Sequence, residues 1–329
     1  RKGDNFMTGL VSQFFGASAS MLASLPRVHC CLLAGGMGGR LAPISTPERP
    51  KQFCDLTGQG PMIAVTADRF AGLVATDRMH VATNRAFESA VKENLPWILP
   101  QNITLEPTGK NKDTGPAVAI FAARLAEVDP DAVGILTPSD HWIGNLPAFR
   151  KNIVDGVLFA AQHSALLLFG IPPSRPEKGF GYIRKGRAVD GSPAMVATEF
   201  VQKPDFPQPL IEAGDYLWNS GMYVFHAASF RRMLAKYSPD LLSSVDIYLN
   251  LLRNGRAEDA DEFYMAEMPR ISIDHAVMES VARFGDMFLI PLESEWSDIG
   301  VWEGIRALYV SGKINPPSAV LRELAKIFQ

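Results

Sequence analysis

A glycine-rich segment followed by two basic residues is the part of this sequence best suited to chemistry. The apolar run Val28–Leu33 leads into four glycines between positions 35 and 39, and Arg40 and Lys51 follow. Glycine lets a backbone approach a ligand closely and adopt positive φ, and exposed N–H groups in such a turn bind anions. With two fixed cations nearby, the segment predicts a polyphosphate site at the end of a first buried strand. The alternative is a tight turn without a ligand.

Two common phosphate-binding loops are excluded by the spacing. The dinucleotide fingerprint requires a third glycine at the position that Leu41 occupies, and a Walker A loop must close on Gly-Lys-Ser/Thr, whereas this loop continues as Arg40-Leu41. The segment therefore belongs to neither class.

Two aspartates could complete a phosphate site. Asp140 follows an apolar strand predicted at 132–136, and ligands of open α/β sheets bind beyond the carboxyl ends of strands. A carboxylate beside a phosphate is repelled unless a cation lies between them, which favours Mg²⁺. Asp298 could be a second ligand of the same metal. The alternative for either aspartate is a helix N-cap or turn.

Three residues of the second half could contact a phosphorylated sugar. Lys203 stands at the tip of a predicted strand, where it could meet a phosphate or simply be exposed. Asn219 lies in an apolar strand, so its amide must bond either a ligand or the backbone. Gly181 enters another strand from a flexible loop, where its backbone could approach a sugar. There is no Ser-His-Asp pattern, so the set favours direct phosphoryl-type transfer.

The elements that must position these residues alternate between strands and helices. Before residue 170 we predict strands at 28–33, 78–83, 132–136 and 165–169 and helices at 61–73, 85–95, 114–128 and 147–161. After it we predict strands at 194–201, 216–225 and 287–291 and helices at 230–252, interrupted at Ser238-Pro239, and at 301–309. This order predicts a largely parallel sheet covered by helices on both faces.

Composition narrows the possible partners. The net charge of the 329 residues is -3, so no overall basic field attracts nucleic acid or an anionic membrane. No apolar run approaches the roughly 18 residues of a membrane helix. Cys30, Cys31 and Cys54 form no C-x-x-C pair, which favours buried thiols in a reducing, cytoplasmic compartment. We expect residues 1–26 to be a mobile or surface-packed extension rather than a secretory signal.

Taken together, the motifs resemble those of the sugar-1-phosphate nucleotidyltransferases, and most of all the bacterial mannose-1-phosphate guanylyltransferase branch. The matching segments run in the family's order from about residue 28 to 306. They are LAGGMGGRLAPIS, RPKQF, EPTGK, TGPAVAI, TPSDHWI, GIPPSRPEKGFGYI, FVQKPD, YLWNSGMYVF, SIDHAVMES and WSDIGVWEGI.

The resemblance implies an α/β fold with a Rossmann-like mixed, mainly parallel sheet flanked by helices. The transferase domain would span 27–312, with its nucleotide half ending near 170 and the sugar-phosphate half after it, and 313–329 would form a helical tail. Its implied nucleotide-binding residues are Leu33, Ala34, Gly35, Gly36, Gly38, Gly39, Arg40 and Lys51, the last two also catalytic. Its implied sugar-phosphate residues are Gly181, Gln202, Lys203 and Asn219, and its implied Mg²⁺ ligands are Asp140 and Asp298.

The implied reaction joins mannose 1-phosphate to the GMP unit of GTP, giving GDP-mannose and pyrophosphate, in a chain that could form a homodimer. Gln202 stands where the family's pattern has glutamate, and glutamine keeps a donor and an acceptor but loses the charge. Two alternatives therefore stay open. One is a nucleotidyltransferase for another sugar or base, and the other is a non-catalytic protein that senses nucleotide sugars.

Overall fold

The computed structural model describes residues 27–36, 39–109 and 111–328. The extension expected at 1–26 lies outside the described residues. In the described ranges the strands are β1 (Val28–Leu33), β2 (Met79–Asn84), β3 (Ile103–Glu106), β4 (Val133–Pro138), β5 (Trp142–Ile143), β6 (Leu166–Ile171), β7 (Gly181–Ala188), β8 (Met195–Gln202), β9 (Tyr216–His226), β10 (Met287–Pro291) and β11 (Trp296–Ser297). None of the helices in these ranges combines the length and apolarity needed to span a bilayer.

Most of the strands join one large sheet. Its order is β3-β2-β1-β4-β9-β6-β10-β8-β7, with β7 also pairing with β9, while β5 and β11 form a separate two-stranded ladder. The mixed sheet flanked by helices agrees with the expected fold class. The parallel pairings lie in β3-β2-β1-β4 and between β6 and β10.

The second half of the chain adds antiparallel pairings that a simple βαβα order does not predict. Strand β9 inserts between β4 and β6 and runs antiparallel to both, and the β7–β8 hairpin pairs antiparallel along its length. Because β9 is reversed, its first residues lie at the edge where β1 and β4 end. The carboxyl ends of β1 and β4, the start of β9, the start of β7 and the end of β8 thus share one edge of the sheet.

Helices cover both faces of this sheet. The α-helices are Met62–Asp68, Glu88–Asn94, Thr114–Val128, Leu146–His163, Gln208–Glu212, Ala227–Tyr237, Pro239–Arg253, Ala257–Glu267, Glu279–Arg283, Trp302–Val310 and Ser318–Ile327. The helix Thr114–Val128 is buried along most of its length, which suits its run of small and apolar residues. A π-helical turn, Asp274–Met278, precedes Glu279–Arg283. One apolar core lies on each face of the sheet.

A third apolar cluster supports one end of the sheet edge. It joins Leu41, Cys54 and Leu56 to Ile299 and to the helix Trp302–Val310, and Val320 and Leu324 of the last helix close it. The short 3-10 turn Lys51–Phe53 lies between these residues in sequence. The cluster therefore holds the Lys51 turn and the segment around residue 298 against each other.

Candidate functional site

Three side chains fix the glycine-rich loop after β1. Gln52 is buried, and its Nε2 donates to the carbonyls of Ala34 at 2.8 Å and Gly36 at 2.9 Å. Thr83 Oγ1 donates to the same Ala34 carbonyl at 2.9 Å. Ser139 Oγ, at the end of β4, donates to the Leu33 carbonyl at 2.8 Å. Contacts from three other segments thus fix the first part of the loop, from Leu33 to Gly36.

The glycines of this loop leave space rather than supply an unusual backbone conformation. Gly35, Gly36 and Gly39 do not adopt positive φ, and a Cβ at Gly36 or Gly39 would meet nothing within 4 Å. The expectation of positive φ is therefore wrong for these three positions. The open space above the backbone is the property that suits ligand approach. Gly38 lies outside the described residues.

Lys51 joins two of the predicted site segments. Its Nζ lies 2.9 Å from Oδ2 of Asp140 and donates to the backbone carbonyls of Asp298 at 2.5 Å and Ile299 at 3.3 Å. The Lys51 side chain is 10% exposed and that of Asp140 is 33% exposed. The structure therefore brings Lys51 against both the Asp140 carboxylate and the Asp298 backbone, although the three residues are far apart in sequence.

The Asp140 carboxylate is held in its ionised form by its neighbours. Burial raises its pKa, but the charge and hydrogen bond of Lys51, together with smaller contributions from His141 and a backbone hydrogen bond, outweigh burial, and the net pKa lies below the ordinary range. His141 Nε2 lies 3.8 Å from the other carboxylate oxygen. Burial lowers the pKa of His141 to about 4, so the ring is neutral at pH 7. Trp296 Nε1 donates to His141 Nδ1 at 3.2 Å, which leaves the proton on Nε2, facing Asp140.

Neither aspartate serves as a helix cap. The helix that follows Asp140 begins at Leu146 and is capped by Asn145, while Val301 occupies the N-cap of Trp302–Val310 without a side-chain hydrogen bond. The capping alternative for Asp140 and Asp298 is therefore not observed. Neither carboxylate is therefore occupied by a helix N-terminus.

The chemistry of these two carboxylates fits Mg²⁺, which prefers oxygen ligands and usually combines one or two carboxylates with phosphate oxygens and water. Within 27–36, 39–109 and 111–328 there is no group of three or more His, Cys, Asp or Glu side chains placed to hold a metal. Any cation here would therefore share its coordination between protein, solvent and ligand.

Arg40 is placed differently from Lys51. Its side chain is exposed, as is the neighbouring Gly39, and in the described part of the chain no contact links it to Lys51 or Asp140. The structure thus contains one buried cation fixed in the cleft and one exposed cation on the loop above it.

A cavity of about 290 Å³ opens between the glycine loop and the ends of β1 and β4. Its lining includes Gly35, Gly36, Gln52, Ser139 and Asp140. A second cavity of about 470 Å³ adjoins it.

Glu106, at the end of β3, lines both cavities and was not identified from sequence as a functional residue. Its Oε1 accepts a hydrogen bond from the Tyr264 hydroxyl at 2.5 Å, and its Oε2 faces Gly35, whose Cβ position lies 3.6 Å away. Burial raises the pKa of Glu106, and the Tyr264 hydrogen bond opposes that shift. The only sequence signal for this residue is its place in the EPTGK segment.

The predicted sugar-phosphate residues also converge. Gly181 and Gln202 face each other across the β7–β8 pair, and a Cβ on Gly181 would lie 3.3 Å from Cβ of Asn219. Gln202 and Asn219 both donate to Asp274, each at 3.1 Å. Lys203 is exposed just beyond β8, with φ at +46°. Sequence reasoning assigned no role to Asp274, although it lies in the matching SIDHAVMES segment.

Strands β4 and β9 are neighbours at the sheet edge that carries the predicted site residues. Leu136 pairs with Tyr223, and the Cβ position of Gly221, whose φ is +72°, lies 3.2 Å from Cγ of Pro138. The end of β4 and the first residues of β9 are therefore adjacent parts of one surface.

Comparisons with known proteins agree with this architecture. The family model described as nucleotidyl transferase matches residues 30–310. A mannose-1-phosphate guanylyltransferase, ManC, of Salmonella typhimurium is 36% identical over 299 residues, which cover 87% of this chain and 60% of the relative. The alginate biosynthesis protein AlgA of Pseudomonas putida is 35% identical over 283 residues, covering 83% of this chain and 56% of AlgA. The chain thus spans somewhat under two thirds of the length of these curated relatives.

A solved structure gives the same result for the fold. A crystal structure from Thermus thermophilus, described as a mannose-1-phosphate geranyltransferase, superposes with a TM-score of 0.73 at 29% identity and covers 88% of this chain and 80% of that chain. A UDP-glucose pyrophosphorylase bound to UDP-glucose superposes with a TM-score of 0.54 at 15% identity, covering 87% of this chain and 100% of that chain, which supports the fold alone.

Proposed function

The chain belongs to the nucleotidyl transferase family, and from that premise we propose that it transfers GMP from GTP to mannose 1-phosphate. In this reaction an oxygen of the sugar phosphate attacks the α-phosphorus of GTP. A new P–O bond forms, the bond between the α-phosphorus and the bridging oxygen breaks, and pyrophosphate leaves as GDP-mannose forms. The curated guanylyltransferase at 36% identity supports this choice of substrates.

The observation that carries the proposal is the contact of Lys51 with Asp140, which lines the glycine-loop cavity, and with the backbone carbonyl of Asp298. Two polyanionic substrates repel each other, so bringing them together requires fixed positive charge at the reacting phosphates. The buried Lys51 ammonium is held in place by three oxygen atoms, and Arg40 adds an exposed cation from the loop. Mg²⁺, when held by Asp140 and Asp298, would supply further neutralisation of phosphate charge.

Glu106 supports the choice of guanine. A carboxylate only accepts hydrogen bonds, and guanine offers N1–H and N2–H₂ as adjacent donors on one edge. Oε2 of Glu106 faces the loop while Oε1 accepts from Tyr264, so the carboxylate presents acceptor positions where both cavities meet. Adenine would place its N1 acceptor against the same carboxylate, which is unfavourable. The site therefore favours GTP over ATP.

The second half of the edge supports a sugar-phosphate site. Gly181, Gln202 and Asn219 lie together there, and Lys203 can meet the sugar's phosphate as a point charge. The adjacency of Pro138 and Gly221 gives the two substrates neighbouring positions, as in-line transfer requires. Gln202 favours one alternative, a nucleotidyltransferase that prefers a different sugar, because the glutamate of the family pattern is absent.

A pyrophosphate-release assay with four nucleoside triphosphates and several sugar 1-phosphates tests this function. We expect turnover with GTP and mannose 1-phosphate to exceed that of every other pair. A higher rate with another sugar would establish the alternative transferase. Binding of nucleotide sugars without turnover of any pair would instead support the non-catalytic sensor.

A further inference from the structure

Asp274 lies at the centre of a hydrogen-bonded cluster, which we call the Asp274 cluster, with Gln202, Asn219 and Tyr223. The Tyr223 hydroxyl donates to Oδ1 of Asp274 at 2.6 Å, and Asn219 Nδ2 donates to the same oxygen at 3.1 Å. Gln202 Nε2 donates to Oδ2 at 3.1 Å. Three donors on three positions of β8 and β9 thus converge on one carboxylate.

Asp274 opens the π-helical turn Asp274–Met278. Such turns interrupt regular helix geometry and occur frequently at functional sites. Here the turn brings a carboxylate from outside the sheet onto the ends of two strands. The contact joins residues separated by 55 positions for Asn219 and 72 positions for Gln202.

The carboxylate determines which way both amides face. Burial raises the pKa of Asp274, yet both of its oxygens accept hydrogen bonds from the amides, so the NH₂ groups of Gln202 and Asn219 point toward it and their carbonyl oxygens away. Asn219 Oδ1 accepts from Gly221 N at 2.9 Å, which fixes that amide at both ends. Gln202 Oε1 is buried and has no donor among the described residues. It lies next to Gly181, where a Cβ would come within 2.7 Å of it.

An unpaired buried acceptor destabilises the protein, because it has lost its hydrogen bonds to water without gaining others. A hydroxyl group of a bound sugar could remove that penalty, since it can donate a hydrogen bond. Asp274 binds the NH₂ group of Gln202, so it directs this unpaired acceptor toward Gly181 and away from Asp274.

The Asp274 cluster also explains why glutamine suits position 202. A glutamate there would place two carboxylates about 3 Å apart, and one of them would have to hold a proton. The charged and titratable groups facing Asp274 are Lys203, His275, Asp113 and the Tyr223 hydroxyl. With glutamine at 202, one carboxylate is matched by neutral donors and by two nearby basic side chains.

We propose that Asp274 is a positioning residue that sets the selectivity of this site among hexose 1-phosphates, acting through Gln202 and Asn219. This inference rests on the proposed function insofar as those two amides contact the sugar. The carboxylate at 274 pairs with the amide at 202. Swapping these two groups between the positions keeps a carboxylate opposite an amide. Changing only one position leaves two amides or two carboxylates opposite each other.

The experiment compares wild type with Asp274→Asn, Gln202→Glu and the exchanged double variant Gln202→Glu/Asp274→Asn. Calorimetry measures the binding of mannose 1-phosphate and of its C2 epimer glucose 1-phosphate, and pyrophosphate release gives the two KM values. We expect Asp274→Asn to weaken mannose 1-phosphate binding about tenfold, which is about 1.4 kcal/mol, and to narrow the difference between the epimers. The KM for GTP should stay within about twofold.

The pH dependence of sugar-phosphate binding distinguishes a positioning role of Asp274 from a general structural role. In Gln202→Glu the two carboxylates share a proton at low pH and repel each other once it is lost, so binding of the sugar phosphate should weaken as the pH rises. The double variant should lose this added pH dependence and regain most of the affinity. Asp190→Asn is the matched control, because it makes the same chemical change at an exposed position in the turn between β7 and β8, and it should behave as wild type.

Three outcomes overturn the inference. The first is an Asp274→Asn variant whose ratio of affinities for mannose 1-phosphate and glucose 1-phosphate equals that of wild type. The second is an equal rise of the KM for GTP and of the KM for the sugar phosphate. The third is a double variant that binds the sugar phosphate no more tightly than the weaker of the two single variants. Calorimetry does not require turnover. An enzyme that binds the sugar phosphate with these dependences but releases no pyrophosphate would therefore contradict the proposed function and leave the role of Asp274 intact.

Discussion

The ammonium of Lys51 lies 2.9 Å from the carboxylate of Asp140 and also donates to the backbone carbonyl of Asp298 at 2.5 Å. This contact ties the end of β4 to the segment that precedes the helix Trp302–Val310. Asp140 lines the cavity beside the glycine loop, so the lysine that joins these two segments also places a fixed positive charge next to that cavity.

Replacing Asp140 tests its role as a metal ligand. We expect Asp140→Asn to lower pyrophosphate release at limiting Mg²⁺ by at least about 100-fold, about 3 kcal/mol of barrier, because an amide is a poorer ligand for Mg²⁺ than a carboxylate. Initial rates over a range of Mg²⁺ concentrations measure this effect. Asp190→Asn, in the exposed turn between β7 and β8, is the control. Near-normal turnover of Asp140→Asn at limiting Mg²⁺ would refute the ligand role.

The two cations of the site should respond differently to substitution. Lys51→Met removes the donor to two carbonyls and the partner of Asp140, so it should lower the free energy of unfolding by about 2–4 kcal/mol as well as abolish most activity. Arg40→Gln removes an exposed side chain and should change that free energy by less than about 0.5 kcal/mol while still lowering turnover. Urea unfolding and initial rates on both variants provide the comparison. A loss of stability in Arg40→Gln matching that of Lys51→Met would contradict this distinction.

The main elements of the first half follow from local sequence because their apolar runs are continuous. Strand β1 begins and ends where predicted, and the helix Thr114–Val128 has the predicted bounds. The short strand β3 is not predicted, because only its first and last residues are buried. The helix Ala257–Glu267 also escapes prediction. It buries only Ala260 and Tyr264 among many charged residues.

The residues of the candidate site also divide into those that the sequence predicts and those that it does not. The glycine loop, Lys51 and Asp140 stand out because glycine clusters and charged residues at strand ends are local signals. Glu106 and Asp274 contact partners far along the chain, such as the Tyr264 hydroxyl, which lies 158 residues from Glu106. Their roles depend on the order of strands in the sheet, especially on the insertion of β9, which no local pattern reveals.

Glu106 should decide between purine bases. In Glu106→Gln the amide can place a donor against guanine N1–H or N2–H₂, so we expect the KM for GTP to rise about tenfold or more and the preference for GTP over ATP to shrink. Tyr264→Phe, which removes only the hydroxyl that donates to Oε1, should cause a smaller change in the same direction. Competition between GTP and ATP in the pyrophosphate-release assay measures both. An unchanged GTP-to-ATP ratio in Glu106→Gln would exclude this residue from base recognition.

A pair of histidines on β1 and β2 should make the fold sensitive to acid. His29 Nδ1 and His80 Nε2 lie 3.0 Å apart, and burial lowers the pKa of His29 to about 4 and that of His80 to about 3. Because the unfolded chain binds these protons near pH 6.5, the pair's contribution to stability is complete above that pH. It declines as the pH falls toward 4 and then 3.

The variant His80→Gln keeps a hydrogen-bonding side chain but cannot titrate. We expect its melting temperature to fall less between pH 7.5 and pH 5 than that of wild type, as measured by thermal unfolding at each pH. His163→Gln, at an exposed position, should preserve the wild-type difference. An identical pH dependence in wild type and His80→Gln would show that the histidine pair does not contribute.

The contact between Gly58 and Asn315 should be essential for the support of the Lys51 turn. Gly58 has φ at +82°, and a Cβ there would lie 1.9 Å from the Asn315 carbonyl oxygen, whereas Gly60 has φ at +109° and a Cβ would meet nothing within 4 Å. Gly58→Ala must therefore displace the segment that carries Ile314 in the third apolar cluster. We expect it to lower the free energy of unfolding by more than about 3 kcal/mol, and Gly60→Ala by about 1–2 kcal/mol from backbone strain alone. Urea unfolding of both variants distinguishes backbone strain from the clash with Asn315. Equal losses of unfolding free energy in Gly58→Ala and Gly60→Ala would mean that strain alone accounts for both.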